Sequence, residues 1–259
     1  MVRIALGIEY DGHGFYGFQA QPNLLTIQGC LQEAISKIAN EPIYVHCAGR
    51  TDAGVHASGQ VVHFDTHAKR HIDAWIWGVN AYLPKGIAVK WARHVDFHFH
   101  ARFKATHRRY RYIIYNHPVR PAILSTRVSW HYYALNENLM REAAACLIGE
   151  HDFSSFRAAE CQSRTPVRKV THFEIERRGD FILFEIEANA FLQHMVRNIA
   201  GSLMNVGSGL RSVSWMQTVL DAKDRRQAGV RAPAEGLTLI RVVYPEPYTF
   251  PVPDQLFLV

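Results

Sequence analysis

Residues 97–115, FHFHARFKATHRRYRYIIY, span the junction between two halves of the chain that carry the same order of predicted elements. The first eight residues alternate Phe or Ala with His, Arg or Lys, and this period of two predicts a half-buried strand with one apolar and one cationic face. Tyr110 to Tyr115 predict a further strand. The boundary between two halves of the chain is therefore expected at about residue 103.

The elements on the two sides of this boundary repeat the order strand, helix, strand, strand, helix, strand. In the first half they are a strand over Ile4–Tyr10, a helix capped by Thr26, strands at Ile43–Cys47 and Val61–Phe64, a helix over Ile72–Tyr82 and a strand over Ala88–Val95. In the second half they are a strand over Tyr110–Tyr115, a helix over Asn136–Leu147, a hairpin of Val170–Glu176 and Phe181–Ala188, a helical region over Phe191–Ala222 and a strand over Leu237–Tyr244. The repeat predicts an α+β fold of two ferredoxin-like halves, residues 1–103 and 104–259, whose antiparallel or mixed sheets join across a central cleft. RNA-recognition modules use the same layout.

The composition is that of a folded protein. The 259 residues are 48% hydrophobic and include five Trp and 14 Phe, which excludes disordered, collagen-like and disulfide-scaffold proteins. No apolar run approaches the roughly 20 residues of a membrane-spanning helix. The N-terminus, MVRIALGIEYDG, introduces an acid and a turn too early for a signal peptide. With four Cys residues and no CxxC pair, the sequence predicts a cytoplasmic protein that does not contact a membrane.

The excess positive charge is concentrated in one segment. The formal charge of +6 comes from 29 basic and 23 acidic residues, yet residues 1–96 carry eight of each and residues 137–259 carry 14 basic and 15 acidic residues. Residues 97–136 carry seven basic residues and no Asp or Glu. Arginines interleaved with tyrosines are typical of surfaces that bind phosphates and stack on bases. The pattern predicts RNA contacts from Arg102, Lys104, Arg108, Arg109 and Arg111.

Two other interpretations of this segment stay open at this point. The charge is also compatible with a solvated edge strand whose positive side chains prevent aggregation. His98 and His100 form an HxH pair of the kind that binds metal in hydrolases, but two histidines supply only half of a tetrahedral site. The sequence therefore predicts no metal.

The loop Ala48-Gly49-Arg50-Thr51-Asp52-Ala53-Gly54-Val55-His56-Ala57 lies between two predicted strands. Its glycines allow positive φ or a close approach to a ligand. An Asp followed by Ala-Gly is most often a turn former, and Arg50 beside it is ordinarily a surface residue. The functional interpretation is an exposed carboxylate, Asp52, with a cation two residues away.

Arg197 is the single formally charged side chain between Ala188 and Leu210. The predicted helix around it is apolar on one face and small or apolar on the other, so a guanidinium there needs an anionic partner from elsewhere in the chain. Asp52 is the candidate partner, and the pair would hold the Asp52 carboxylate ionised at neutral pH. The alternative is a structural Arg bonded to backbone carbonyls.

The sequence lacks the common cofactor and nucleophile motifs. GxSxG, the Walker GxxxxGK, GxGxxG after a strand and HExxH are all absent. This absence favours chemistry performed by side chains alone, without a cofactor.

Six stretches together resemble the tRNA pseudouridine synthase A family over nearly the whole chain. They are Tyr10-Asp11-Gly12 with Phe15–Gln19, Thr26-Ile27-Gln28, Gly49–Ala57, Arg109–Tyr112, Phe191–Asn198 and Ala232–Leu237, and the run GRTDAGVH at residues 49–56 is the most specific. The resemblance implies an isomerase that converts uridine to pseudouridine in the anticodon arm of tRNA, at about positions 38, 39 and 40, with the RNA recognised by shape and backbone. It also implies a homodimer without metal or organic cofactor.

The resemblance further implies a role for each of five residues. Asp52 is implied to be the catalytic aspartate, Tyr110 to stack on the target uracil, and Arg197 to pair with the Asp52 carboxylate. Arg50 is implied to assist base flipping, and Leu237 to line the pocket. The alternative function is a non-catalytic RNA-binding protein of two RNA-recognition-like halves, although neither half shows the RNP1 pattern of those modules.

Overall fold

The computed structural model of the protein describes residues 1–252. Its strands are β1 (Val2–Tyr10), β2 (His46–Cys47), β3 (His56–Thr66), β4 (Ile87–Val95), β5 (His107–Asn116), β6 (Ser129–His131), β7 (Gly149–Asp152), β8 (Val167–Arg178), β9 (Phe181–Ala188) and β10 (Leu237–Val243). Its α-helices are α1 (Ile27–Ala39), α2 (Trp77–Tyr82), α3 (Glu137–Ala144), α4 (Met195–Gly207) and α5 (Trp215–Ala222).

The backbone divides into two compact units. Among the described residues, unit 1 comprises residues 1–106 and 238–252, and unit 2 comprises residues 107–237. The division therefore falls at 106/107, where the sequence predicted 103/104, and nearly all of β10 lies in unit 1 although the predicted second half ran to residue 259. Each unit combines a sheet with helices, so the predicted α+β class is confirmed. The central cleft stays a prediction.

Unit 1 is built on a sheet centred on β1 and β3. β1 lies antiparallel between β3 and β4, β2 pairs with β3, and β10 runs parallel to β3 with Thr238 opposite His56. Alternate apolar residues of β1, such as Ile4 and Leu6, are fully buried, as their period predicts. The predicted cap of α1 is confirmed, because the Oγ1 of Thr26 accepts a hydrogen bond from the third backbone N–H that follows it.

A second apolar layer of unit 1 forms where the chain returns after β10. Phe99 is fully buried in a small cluster, and aromatic residues from the end of the described chain cover it. Tyr248 lies 5.0 Å from Phe99 between ring centroids, and Phe250 stacks on Trp91 at 4.8 Å. The hydroxyl of Tyr244 donates to the Ala101 carbonyl at 2.7 Å. Residues 244–250 are therefore part of the packing of unit 1.

The prediction of a strand at the start of residues 97–115 is wrong, because residues 97–104 form turns. The Oδ1 of Asp96 accepts hydrogen bonds from the backbone N–H groups of His98 and Phe99, at 2.8 and 3.1 Å. The Nδ1 of His100 accepts in the same way from the backbone N–H two residues later, at 3.1 Å. Local side-chain acceptors thus satisfy backbone groups that a sheet would otherwise need, and the alternating pattern does not produce a strand.

The strand predicted over Ile43–Cys47 is shortened to the two residues of β2 for a similar reason. The backbone N–H of Ile43 donates to the Oγ of Ser36 at 2.9 Å, and that of Val45 donates to the Oε1 of Gln32 at 3.2 Å. Both acceptors belong to α1. Side chains of a helix therefore replace a strand neighbour along this segment.

Unit 2 is built on an antiparallel sheet in which β9 lies between β5 and β8, and β7 pairs with β8. β6 runs parallel to β5. The predicted hairpin of β8 and β9 is confirmed. The predicted helical region Phe191–Ala222 contains two helices, α4 and α5, with a left-handed Gly209 (φ 78°) between them. The short strands β6 and β7 were not predicted.

Candidate active site

The loop that carries Asp52 is held in unit 1 by three neighbouring segments. The hydroxyls of Tyr10 and Thr51 share a buried hydrogen bond of 2.8 Å, and the backbone N–H of Phe18 donates to the Thr51 carbonyl at 3.0 Å. The Nε2 of Gln60, a residue with no exposed surface, donates to the Gly49 carbonyl at 2.6 Å. The backbone of the loop is thus fixed immediately before Asp52.

The segment before α1 comes close to the Asp52 loop, and this close approach depends on glycine at position 17. Gly17 has a φ of 85°, and a Cβ built there would lie 3.0 Å from the carbonyl oxygen of Thr51 and 3.2 Å from the backbone nitrogen of Ala53. Both the backbone conformation and the space therefore favour glycine. These two contacts flank Asp52 on its N- and C-terminal sides.

The far end of the same loop is also anchored. The backbone N–H of Val55 donates to the Asp52 carbonyl at 3.1 Å, and Gly54 between them has a φ of 79°. The Nδ1 of His56 accepts a hydrogen bond from the backbone N–H of Gly12 at 3.0 Å. The loop is therefore a fixed turn that presents a half-buried Asp52, with Arg50 exposed to solvent.

Tyr110 lies in the middle of β5 in unit 2, on the buried face of the strand. Its ring is 8% exposed and meets the ring of Phe191 edge to face, with centroids 5.1 Å apart and an interplanar angle of 85°. Two residues later on the same face, the Tyr112 hydroxyl donates to the Pro233 carbonyl at 2.9 Å, and burial raises the pKa of Tyr112. Tyr110 and Phe191 thus form an aromatic pair in this part of unit 2, where Tyr112 is fully buried.

Arg197 lies in the first turn of α4 and is 8% exposed. Its Nε donates to the Ala232 carbonyl at 2.9 Å, and its own carbonyl accepts from the backbone N–H of Ala232 at 3.1 Å. One backbone carbonyl therefore satisfies part of the guanidinium, as the structural alternative predicted. The pairing of Arg197 with Asp52 stays a prediction.

Leu237 is buried at the start of β10, at 6% exposure. Its backbone N–H donates to the Ala234 carbonyl at 2.9 Å, which closes a turn before the strand. Gly236 accepts a hydrogen bond from the backbone N–H of Ile113 at 2.9 Å. The segment that precedes β10 is therefore held against β5 within unit 2.

Two of the predicted RNA-binding arginines have carboxylate partners on the neighbouring strand. Arg109 and Arg111 lie opposite Glu187 and Glu185 in the register of β5 and β9. The Nε of Arg109 lies 3.0 Å from the Glu187 carboxylate, and the Nε of Arg111 lies 2.9 Å from that of Glu185. The positive charge of β5 is thus partly balanced by acidic residues that are distant in sequence.

The other three predicted RNA-binding residues have different environments. Arg108 is 9% exposed, and its guanidinium donates to the Asn189 carbonyl at 2.9 Å. Arg102 and Lys104 are exposed on the turns of unit 1. Arg102 lies over the ring of Phe103, 5.7 Å from its centroid, and that ring is 75% exposed. These turns therefore present cations together with an accessible aromatic ring.

The histidines of the HxH pair have separate surroundings. His98 is exposed, whereas the ring of His100 packs against His63 and His46, with centroids 4.6 and 5.1 Å apart. Burial lowers the pKa of His63 to about 3. Within residues 1–252, no group of three or more His, Cys, Asp or Glu side chains is arranged to hold a metal ion. Over the same residues, no helix has the length and apolar character needed to cross a membrane.

Some residues that shape this site were not predicted from the sequence. Gln60 was not recognised as a support of the Asp52 loop, nor were Glu185 and Glu187 recognised as partners of the β5 arginines. Gln60 lies immediately before the predicted strand Val61–Phe64, and only the longer β3 of the structure includes it. The pairing of β5 with β9 could not be read from local sequence.

Comparison with known proteins gives the family. The model of a family described as tRNA pseudouridine synthase matches residues 7–104 and 143–245. Proteins named tRNA pseudouridine synthase A are similar to this chain over nearly their whole length. That of Photorhabdus laumondii is 55% identical over 259 residues, which is 99% of this chain and 98% of the relative. That of Pectobacterium atrosepticum is 57% identical over 259 residues, which is 99% of this chain and 92% of the relative. That of Coxiella burnetii is 56% identical over 251 residues, or 97% of this chain and 96% of the relative. A solved Cbf5-Nop10-Gar1 complex aligns with a TM-score of 0.38 at 14% identity, over 91% of this chain and 48% of that one, which is too distant to inform the fold.

The chain belongs to the tRNA pseudouridine synthase family. It is an isomerase of RNA modification that converts uridine to pseudouridine in tRNA. The predicted family and reaction are confirmed, and membership decides between the predicted functions in favour of an enzyme over a non-catalytic RNA-binding protein.

Proposed function

We propose that Asp52 is the catalytic residue of this isomerase, and that the target uridines lie in the anticodon arm of tRNA, at about positions 38, 39 and 40. The observation that carries the proposal is the loop GRTDAGVH, whose backbone is fixed on both sides of Asp52 by Thr51 and Val55. A carboxylate on a rigid turn is preorganised for attack or proton abstraction.

The reaction itself requires few groups. Isomerisation breaks the bond between N1 of uracil and C1′ of the ribose, and joins C5 to the same carbon, while the C5 hydrogen is replaced by that bond and N1 gains a proton. No electron leaves the substrate and no water is consumed. One ionised carboxylate, an aromatic surface for the detached base and the exclusion of water are therefore sufficient.

The remaining site residues have complementary roles in this proposal. Tyr110 holds the uracil ring against the aromatic surface that it shares with Phe191, and Leu237 adds an apolar wall. Arg197 pairs with the Asp52 carboxylate and balances its charge. Arg50, which is exposed beside Asp52, enters the space that the flipped base leaves. Unstacking costs a few kcal/mol, which phosphate contacts offset.

Cationic side chains of both units supply those phosphate contacts. Arg102 and Lys104 are the leading candidates because both are exposed. Arg109 and Arg111 contribute less charge, since each has a carboxylate partner, and Arg108 is nearly buried. All five residues remain part of the proposed RNA surface.

The proposal also includes a homodimer that acts in the cytoplasm without metal or cofactor. The cytoplasmic location is supported by the four free cysteines, because disulfides are rare in that compartment. The homodimer is supported by the family resemblance. Large exposed apolar side chains, including Trp77 and Ile123, provide surface that a second copy could cover.

Replacement of Asp52 by Asn tests the assignment of the catalytic residue. Asp52→Asn keeps the size of the side chain and removes its charge, so pseudouridine formation in tRNA is expected to fall by about 1,000-fold or more, while tRNA affinity stays within a few-fold of wild type. Single-turnover conversion and equilibrium binding measure the two quantities.

Asp180→Asn is the matched control, because Asp180 is exposed at the β8–β9 turn and loses the same charge. The control should retain full activity. Appreciable turnover by Asp52→Asn would contradict the proposal, and mapping of the modified positions in tRNA tests the anticodon-arm assignment separately.

A further inference from the structure

A cluster of cationic and imidazole side chains lies in unit 2 at the start of α4, outside the set of residues assigned above. Its members are His194, immediately before α4, Arg225 in a short 3₁₀ turn, and Arg231 in the segment that leads to β10. None of the three belongs to the positive segment of residues 97–136. The cluster is therefore a separate concentration of positive charge.

The contact between Arg231 and His194 is unusual. One guanidinium nitrogen, NH1, lies 2.8 Å from Nδ1 and 3.2 Å from Nε2 of the same imidazole. Arg231 is exposed, and within residues 1–252 it has no carboxylate partner. A solvent-facing guanidinium that is held against an imidazole, and not neutralised by an acid, keeps its charge available to an anion.

Arg225 adds a second positive charge close to the first. Burial, and then the charge of Arg231, lower the pKa of Arg225. Its NH2 donates to the Asn198 side-chain oxygen at 3.1 Å, which ties the guanidinium to α4. Two like charges brought together by the fold are unfavourable in the free protein, and a bound anion removes that repulsion.

The backbone holds these residues in place. The segment that carries Arg231 crosses α4 so closely that a Cβ at Gly201 would lie 1.8 Å from the Val230 carbonyl oxygen. On the other side of Arg231, Ala232 exchanges two hydrogen bonds with Arg197. The cluster is therefore built on a fixed crossing of helix and loop, and it needs little rearrangement to bind.

The cluster also lies near the residues assigned to the reaction. His194 is three residues after Phe191, which contacts Tyr110, and three residues before Arg197. The cluster therefore belongs to the same unit as Tyr110 and Arg197, and it is close to both in the chain.

We propose that His194, Arg225 and Arg231 bind a backbone phosphate of the tRNA substrate next to the target uridine. The proposal rests on the assignment of Tyr110 and Arg197 to the site, and it adds a specific RNA contact from unit 2. Guanidiniums suit this ligand because their planar donors match the oxygens of a phosphate.

Arg226 provides a matched control in the same segment. It differs from Arg231 in having a carboxylate partner, since its NH2 lies 2.7 Å from the Oδ2 of Asp224. Both side chains are exposed. Arg231→Gln and Arg226→Gln thus remove the same charge from neighbouring surface positions, and only the first removes a charge that has no acidic partner.

The experiment measures tRNA affinity of the full-length protein over a range of salt concentrations. Arg231→Gln is expected to weaken binding several-fold and to reduce the slope of log affinity against log salt by about 1, because one fewer phosphate is neutralised. Arg226→Gln should leave the affinity and the salt slope unchanged within error. Arg231→Lys, which keeps the charge, should retain most of the wild-type slope.

Three results would overturn the phosphate site. They are an unchanged affinity and slope in Arg231→Gln, an equal loss in Arg226→Gln, or a weaker affinity with an unchanged slope, which would indicate a structural effect. These outcomes are independent of the Asp52→Asn result, because they concern binding and not turnover. A failure of the phosphate site is therefore distinguishable from a failure of the catalytic assignment.

Discussion

The loop of Asp52 shows how the proposed catalytic group can be positioned by residues that have no assigned part in the chemistry. Tyr10 fixes Thr51 through its hydroxyl, and Gln60 fixes Gly49 from a fully buried position. The backbone of Phe18 completes the frame. Small changes in these supports are expected to affect the rate of the reaction more than the affinity for tRNA.

Gly17 and Gly14 offer a direct test of this support. Both have positive φ, 85° and 81°, so the backbone strain of an Ala should cost about 1 kcal/mol of folding stability at either position, and the close contacts of its Cβ add to this cost at Gly17. A Cβ at Gly14 meets no atom within 4 Å, whereas one at Gly17 presses on the Asp52 loop. Gly17→Ala should therefore lower kcat by about 10-fold or more, and Gly14→Ala should lower it little.

Thermal unfolding and single-turnover assays of both variants give the comparison. If the two variants lose stability equally and also lose activity equally, the close approach at Gly17 has no role in positioning Asp52.

At the residue scale, Asp52 was singled out through the resemblance of the run GRTDAGVH to a known family, because local chemistry alone favours a turn former at this position. The sequence did not identify Gln60 as a support. The difference is physical: a loop motif is local, whereas the hydrogen bonds of Gln60 depend on how β3 is placed beside the loop.

The strand β5 shows at the scale of one element why charge counted along the sequence is an incomplete guide. Residues 97–136 contain no acid, yet Arg109 and Arg111 face Glu187 and Glu185 across the β5–β9 pairing. The partners are 78 and 74 residues apart in the chain. A segment that is strongly basic in sequence is therefore less basic in the fold.

Two double variants compare the exposed cations on the turns of unit 1 with the carboxylate-paired arginines of β5. Arg102→Gln with Lys104→Gln removes two exposed charges and should lower the salt slope of tRNA binding by about 2. Arg109→Gln with Arg111→Gln should lower the salt slope by less than this. Each of these guanidiniums already has a carboxylate partner, so each neutralises less phosphate charge.

Equilibrium binding at several salt concentrations provides the slopes. Equal slopes for the two variants would mean that the carboxylate partners do not shield Arg109 and Arg111 from the RNA.

Helices and strands were predicted best where the local sequence pattern agrees with the tertiary contacts of the same residues. The cap of α1 at Thr26 and the hairpin of β8 and β9 are examples. The prediction failed at residues 97–104, because Asp96 and His100 bind nearby backbone N–H groups. Alternation alone does not report such side-chain competition.

At the scale of the whole molecule, buried histidines make folding stability depend on pH. Burial, together with the neighbouring His100, His46 and Arg3, lowers the pKa of His63 to about 3, and Asp65 opposes this shift. In the unfolded chain its pKa is about 6.5. As the pH falls from 7, the unfolded state binds a proton that the folded state does not, so stability is lost between about pH 6.5 and pH 3.

Replacement of His63 by Gln removes this titration. His63→Gln should be less stable than wild type at pH 7, because a packed ring is lost. Its stability should, however, fall less steeply between pH 6.5 and pH 4. Urea unfolding at several pH values measures the dependence, with His98→Gln, an exposed position, as control. If the free energy of unfolding depends on pH equally in wild type and His63→Gln, then His63 is not a cause of the pH dependence.

The parallel pairing of β10 with β3 has a consequence for the order of folding. Unit 1 begins with residue 1 but also contains residues 238–252, so its sheet and the apolar layer around Phe99 are completed after all of residues 107–237 have been made. During synthesis, unit 2 therefore has all of its residues while unit 1 still lacks a strand. An emerging chain that stops before β10 would leave the β3 edge and the Phe99 cluster exposed, which are the surfaces that chaperones bind and that aggregate.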